Sequence, residues 1–213
     1  MQTIRRLSLT AGLVLLALIW AGPLLGGDGS SFTARMLAHL GVVALAAPLF
    51  ALGVAGTRWD ISGRSRIFSP VPASLVELAV VWGWHAPALR ALAAGSAWVT
   101  AVEQASFLLS GLLLWLACFG RGGTTGGARH AVGAFAMLLT SMHMTLLGVL
   151  LALAPRPFYA GGQVTCLGFT LTAQQDQELG GVLMLLVGAA VYLTGGVVLL
   201  GRLLRTPEPA GKA

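Results

Sequence analysis

Six stretches of about twenty mainly apolar residues, separated by short loops, take up most of this 213-residue chain. A helix needs about twenty residues to cross the ~30 Å hydrocarbon layer of a bilayer, so each stretch is the length of one crossing. Hydrophobic residues make up 56% of the chain and charged ones only 9%. A soluble domain could not cover its surface with so little charge. The fold class expected is all-α: one polytopic membrane domain over residues 1–213, a bundle of about six transmembrane helices.

The first stretch, Leu7 to Leu25, follows Arg5 and Arg6. It is longer than the apolar part of a signal peptide and no clear cleavage motif follows, so it reads as a retained helix. The second runs from about Ala34 to Val54, the third from about Val71 to Leu89 and the fourth from about Ala97 to Ala117. The fifth starts near His130 and runs to Ala154, ahead of Pro155. Thr172-Ala-Gln-Gln175 has the form of a capping box and opens the sixth, apolar from Leu179 to about Leu200. Gly181, Gly188 and Gly195 recur every seven residues and give that helix a smooth face for close packing.

Six crossings place both termini and the second and fourth loops on one side. Arg5, Arg6, Arg58, Arg64, Arg66, Arg121, Arg129, Arg202, Arg205 and Lys212 fall there, against Arg35, Arg90 and Arg156 opposite. Cationic loops stay in the cytoplasm, so both termini are expected inside. Trp20, Trp82, Trp84, Trp98, Phe158 and Tyr159 fall at the outer boundary, as an interfacial belt does. The net charge of +6 has the same origin. Basic and aromatic residues are not interleaved as in single-strand binders, and nucleic acid is not an expected partner.

Ionisable groups inside a membrane are costly and mark function or a buried partner. His39, His85 and Glu103 lie four to six residues inside the outer ends of their helices, and Asp176 starts the sixth. His143, between Met142 and Met144, lies about 7 Å deeper than His39 by helical rise. The three share one site only if the fifth helix is shifted or bent. Met36 precedes His39 by three residues; imidazole with thioether suits a soft or borderline metal such as copper. His39, His85 and His143 are therefore the candidate metal ligands, with Met36, Met144, Glu103 and Asp176 as weaker ones. Glu77 lies apart and reads as a structural pair or a neutral, protonated carboxyl. Pro87 lacks a donor for the Gly83 carbonyl, so the third helix is weakened or ends beside His85. Cys118 and Cys166 stand at opposite faces and cannot form a disulfide with each other.

Four segments resemble the CtaG-type cytochrome c oxidase assembly factors of bacteria. They are Met36-Leu-Ala-His39 with Ala47-Pro48, Trp84-His85-Ala-Pro87, Leu139 to Tyr159 with its His-Met-Thr-Leu-Leu-Gly centre, and Asp176 to Met184. The likeness spans about residues 33–200. Where the family pattern carries further histidines, this chain has Arg35, Thr100 and Gln104, keeping only Glu103 of that motif. The resemblance implies a non-enzymatic, multi-pass protein of the bacterial plasma membrane. It would assist copper delivery or insertion into a haem-copper oxidase, with oxidase subunits or copper chaperones as partners. A membrane cytochrome is a second reading, since His39 and His85 lie at similar depth and could ligate one haem. A small-solute or metal transporter with Glu103, His143 and Asp176 along its path is a third, although no inverted repeat is evident.

The charge asymmetry predicts that cysteines introduced singly into the second and fifth loops label oppositely with an impermeant thiol reagent. Labelling of Gly63→Cys from outside intact cells would overturn the topology.

Overall fold

The computed structural model describes residues 2–22, 24, 31–62, 68–120, 127–159, 162–166 and 168–205. Among the described residues seven helices build the bundle: α1 (Gln2–Trp20), α2 (Phe32–Val54), α3 (Pro70–His85), α4 (Pro87–Gly95), α5 (Ala97–Phe119), α6 (Gly127–Ala152) and α7 (Ala173–Leu204). Five of them, α1, α2, α5, α6 and α7, are long and apolar enough to cross a membrane.

The third stretch departs from a single span. Ala86 is extended (φ −63°, ψ 133°) and its amide reaches back only to Gly83 O, at 3.0 Å. Pro87 then starts α4, which lies outside α3 as a separate short helix. The cause is the proline's missing donor and its restriction of the preceding residue. At 16 residues α3 is about 24 Å long. Ser74 meets Thr140 in mid-bundle at 2.8 Å, and His85 reaches the end where α2 begins. With 16 residues α3 is shorter than each of the five helices that can cross a membrane.

One end gathers the start of α1, the ends of α2, α5 and α7, and the start of α6: Leu9 faces Gly53, Arg202 covers Phe119, and Leu203 faces Gly127. Among the described residues this end holds Arg5, Arg6, Arg58, Arg129, Arg202 and Arg205, and the other end holds Arg35, Arg90 and Arg156. Arg64, Arg66, Arg121, Lys212 and Gly63 lie outside the described residues. Trp20, Trp98 and Phe158 are exposed at the arginine-poor end, where the interfacial belt was expected.

The long loop before α7 adds something composition did not announce. Strands β1 (Gln163–Cys166) and β2 (Phe169–Thr172) pair antiparallel, with Gly168 at φ 87° beside the turn. Both cysteines are free and buried. Thr172 caps α7 as its sequence predicts: the Gln175 amide donates to Thr172 Oγ1, and the Thr172 amide donates to Gln175 Oε1.

The glycine face of α7 packs as read. A Cβ on Gly181 would lie 2.7 Å from Ala152 N, and one on Gly148 would lie 2.8 Å from Gly181 O, so α6 and α7 meet backbone to backbone. Gly188 faces Met144, and Gly195 faces Met137 and Trp115. Such contact gives dispersion energy between helices that lipid gives no hydrophobic reason to associate. Two buried polar pairs set the register: Ser74 with Thr140, and Tyr192 Oη donating to Glu77 Oε1 at 2.6 Å. Glu77 is thus the structural pair its position suggested.

Gly148→Leu should force α6 and α7 apart and cost about 1–3 kcal/mol. The check is thermal unfolding in detergent; a wild-type midpoint would mean the crossing is looser than described.

Candidate functional site

The site lies at the arginine-poor end and starts with a capping problem. The first amides of α2 have no partner within the helix. Asp176, from the first turn of α7, supplies one. Its Oδ1 accepts from Ser31 Oγ (2.9 Å) and Thr33 N (3.1 Å), its Oδ2 accepts from Phe32 N, and its own carbonyl accepts from Thr33 Oγ1 (2.7 Å). Ser31 Oγ also accepts from Ala34 N. A carboxylate suits the positive end of a helix dipole, here that of α2 and of its own helix at once. Asp176 is 2% exposed with both oxygens engaged. Asp176, one of the weaker ligand candidates, is here engaged by two backbone amides and the Ser31 hydroxyl.

Two turns into α2 sits His39, 2% exposed, and neither ring nitrogen has a hydrogen-bond partner among the described residues. Its ring lies 5.5 Å from that of His85, centroid to centroid, at 73°. Phe107 of α5 stacks edge-on to His39 at 4.2 Å. His85 Nδ1 lies 2.6 Å from Val81 O. A carbonyl can only accept, so Nδ1 carries the hydrogen and the neutral ring keeps its lone pair on Nε2.

These rings border a small cavity of about 20 Å³, with Met36, Trp84, Arg35, Glu103 and Arg90 on its walls. That is room for one water-sized group. Met36 is buried, one turn before His39. Arg35 and Glu103 face each other at 3.6 Å (Nη1 to Oε2), both largely buried. Thr100 Oγ1 donates to Ala93 O, and Gln104 is buried with its carbonyl oxygen unpartnered.

The arginine-poor side is closed by residues that sequence reasoning had placed only in the belt or in the charge count. Tyr159 stacks on Phe32 at 4.7 Å, and its hydroxyl donates to His85 O at 2.9 Å. That carbonyl is available because the helix breaks at Pro87, so the proline was the readable signal. Arg90 lies over the Tyr159 ring at 6.0 Å. Burial raises the Tyr159 phenol to about 12, against the pull of Arg90. Burial, then the nearby Arg35, lowers the Arg90 guanidinium to about 10. The partner that would have revealed this lid is about 70 residues away in sequence.

His143 is not part of the cavity. It is buried on α6, one turn beyond Thr140, with both ring nitrogens unpartnered. α6 is one helix from Gly127 to Ala152, and His143 does not line the cavity that His39 and His85 border. Met144 is fully buried against Gly188. Among the described residues no three His, Cys, Asp or Glu side chains converge to hold a metal ion. The structure brings His39 and His85 together with Met36, and leaves His143 and Met144 in the packed interior.

Residues 1–206 match the protein family described as cytochrome c oxidase caa3 assembly factor (Caa3_CtaG). No curated protein and no solved structure gives a match.

Because Asp176 holds the start of α2, Asp176→Ala should cost about 2 kcal/mol or more, with Asp176→Asn intermediate. Thermal unfolding of the purified variants reads this, and an unchanged midpoint for Asp176→Ala would contradict the capping role.

Proposed function

The chain belongs to the cytochrome c oxidase caa3 assembly factor family, and on that premise we propose that it serves as a copper-holding, non-enzymatic helper in the bacterial plasma membrane. It receives a cuprous ion at the outer end of the bundle and passes it to a haem-copper oxidase subunit or a copper chaperone. The supporting observation is the His39–His85 pair, drawn from two helices and buried beside Met36. Two imidazoles sharing one ion at about 2 Å from a nitrogen of each place their ring centres roughly 5–6 Å apart, close to the spacing here. Neutral imidazole with a thioether suits a soft ion.

The backbone bond of His85 Nδ1 is the outer contact that orients a ligating histidine. His39 brings two unpartnered nitrogens that a ligand would satisfy. A ligand set of two or three groups holds an ion loosely enough to release it, which is what delivery requires. The cavity is far too small for a haem macrocycle, and this weighs against the cytochrome reading.

His39→Ala and His85→Ala should each lower assembled, active oxidase at least severalfold in copper-limited cells while the protein still accumulates. The double variant should be little worse than either single one, as for residues acting as a unit. His130→Ala at the opposite end should be tolerated. Purified protein should take up one Cu(I), and His39→Ala should abolish that uptake. Normal oxidase in copper-limited cells lacking the protein would overturn the reading, as would a Soret band in the purified protein.

A further inference from the structure

The walls of the histidine cavity carry more positive than negative charge. Arg35 of α2 and Arg90 of α4 border it, and among the described residues Glu103 of α5 is the one carboxylate that does. Arg90 is 8% exposed, and its Nη1 is buried without a hydrogen-bond partner. Arg35 Nε and Nη1 are likewise buried and unpartnered. Arg35 Nη1 stands 3.6 Å from Glu103 Oε2, too far for a hydrogen bond, so the carboxylate offsets one guanidinium and leaves the other. The two guanidiniums feel each other, since Arg35 helps to lower Arg90. Asp176 does not line the cavity, and its oxygens are taken up at the start of α2. Phe32, Met36, Trp84 and Phe107 complete the lining without charge.

These charges surround the place where an ion shared by His39 and His85 would lie, because the cavity has room for only one water-sized group. Imidazole alone does not choose among ions there. It suits zinc and copper alike, and cupric ion binds nitrogen sites most tightly of the common divalent metals. Charge does choose. A net positive wall repels a divalent ion twice as strongly as a monovalent one, and in a water-poor pocket that repulsion is weakly screened. At a separation of about 5 Å it amounts to roughly a hundredfold in affinity for each unit of ion charge.

We propose, on the basis of the copper-holding role above, that Arg35 and Arg90 form a charge filter beside the histidine pair, admitting a monovalent soft cation and rejecting divalent ions such as zinc and cupric copper. Glu103 acts in the opposite sense. By offsetting one guanidinium it keeps the wall's charge low enough for a single positive charge to enter. The charge left over weakens the hold on that ion, as delivery requires.

The test is metal binding to the whole protein purified in detergent, with Cu(I) under oxygen-free reducing conditions and Zn(II) as the divalent probe. Wild-type protein should take up Cu(I) and bind Zn(II) about a hundredfold more weakly or worse. Arg90→Gln removes one charge from the wall. If it raises Cu(I) affinity by some factor, it should raise Zn(II) affinity by about the square of that factor, because the repulsion scales with ion charge. Arg35→Gln should act in the same direction, and Glu103→Gln in the opposite one, weakening Zn(II) more than Cu(I). Arg90→Lys keeps the charge and should keep the wild-type ratio, which a purely structural role for the guanidinium does not predict. Arg156→Gln, exposed at the same end and off the cavity wall, should leave both affinities unchanged. Wild-type protein that binds Zn(II) as tightly as Cu(I) would overturn the filter without recourse to any variant. Equal gains for the two ions in folded Arg90→Gln would do the same. Failure of the wild type to take up Cu(I) at all would instead overturn the copper-holding role itself, and the filter with it.

Discussion

The Asp176 carboxylate at the start of α2 is the contact on which the arginine-poor end of the molecule depends. A helix beginning at a membrane boundary exposes amides that water reaches poorly and lipid not at all, and leaving them unpaired costs several kcal/mol. Asp176 answers them from a helix that starts about 140 residues later, so the first turns of α2 and α7 become one unit. This fixes the height of α2, and with it the depth of Met36 and His39. Gln177, next to Asp176, extends the same anchor: its amide nitrogen donates to Leu151 O and its oxygen accepts from Phe158 N.

The histidine site follows from a second local event, the break at Pro87. Had α3 continued as one helix, the His85 carbonyl would have stayed inside the helical ladder. The break frees it for Tyr159, and the tyrosine ring then closes over Phe32. Arg35 and Glu103 form a long ion pair on the cavity wall. In a water-poor setting such a pair is held by mutual attraction and not by good hydrogen-bond geometry, so an incoming charge can disturb it. The deeper polar pairs, Ser74 with Thr140 and Glu77 with Tyr192, act differently: each satisfies its partner in the apolar interior and locks helix register.

Much of this was legible from residue order alone. The capping box at Thr172, the close-packed face of Gly181, Gly188 and Gly195, the fourth span from Ala97 and the structural pairing of Glu77 are all local or periodic signals. The β1–β2 hairpin was missed because strands of only four residues each carry too little pattern to separate strand from coil. Asp176 looked like a possible ligand because its position on its own helix says nothing about the amides of another. His143 looked like a third ligand because residue counting gives depth along a helix but not the direction a ring faces. The lid of Tyr159 and Arg90 had a signal in Pro87, which announced a free carbonyl but not its taker.

By itself the sequence determined that this chain is a multi-pass membrane bundle, where its long apolar helices fall, which end is rich in arginine, and which ionisable groups must be buried. Those follow from hydrophobic length and charge, which are sums along the chain. Only the tertiary structure decided that His39 meets His85 while His143 does not, that Asp176 is a cap, and that Arg35 and Arg90 border the histidine cavity. These depend on helix rotation and on one proline break. Each alters which side chains face each other while leaving the apolar length of every span nearly unchanged.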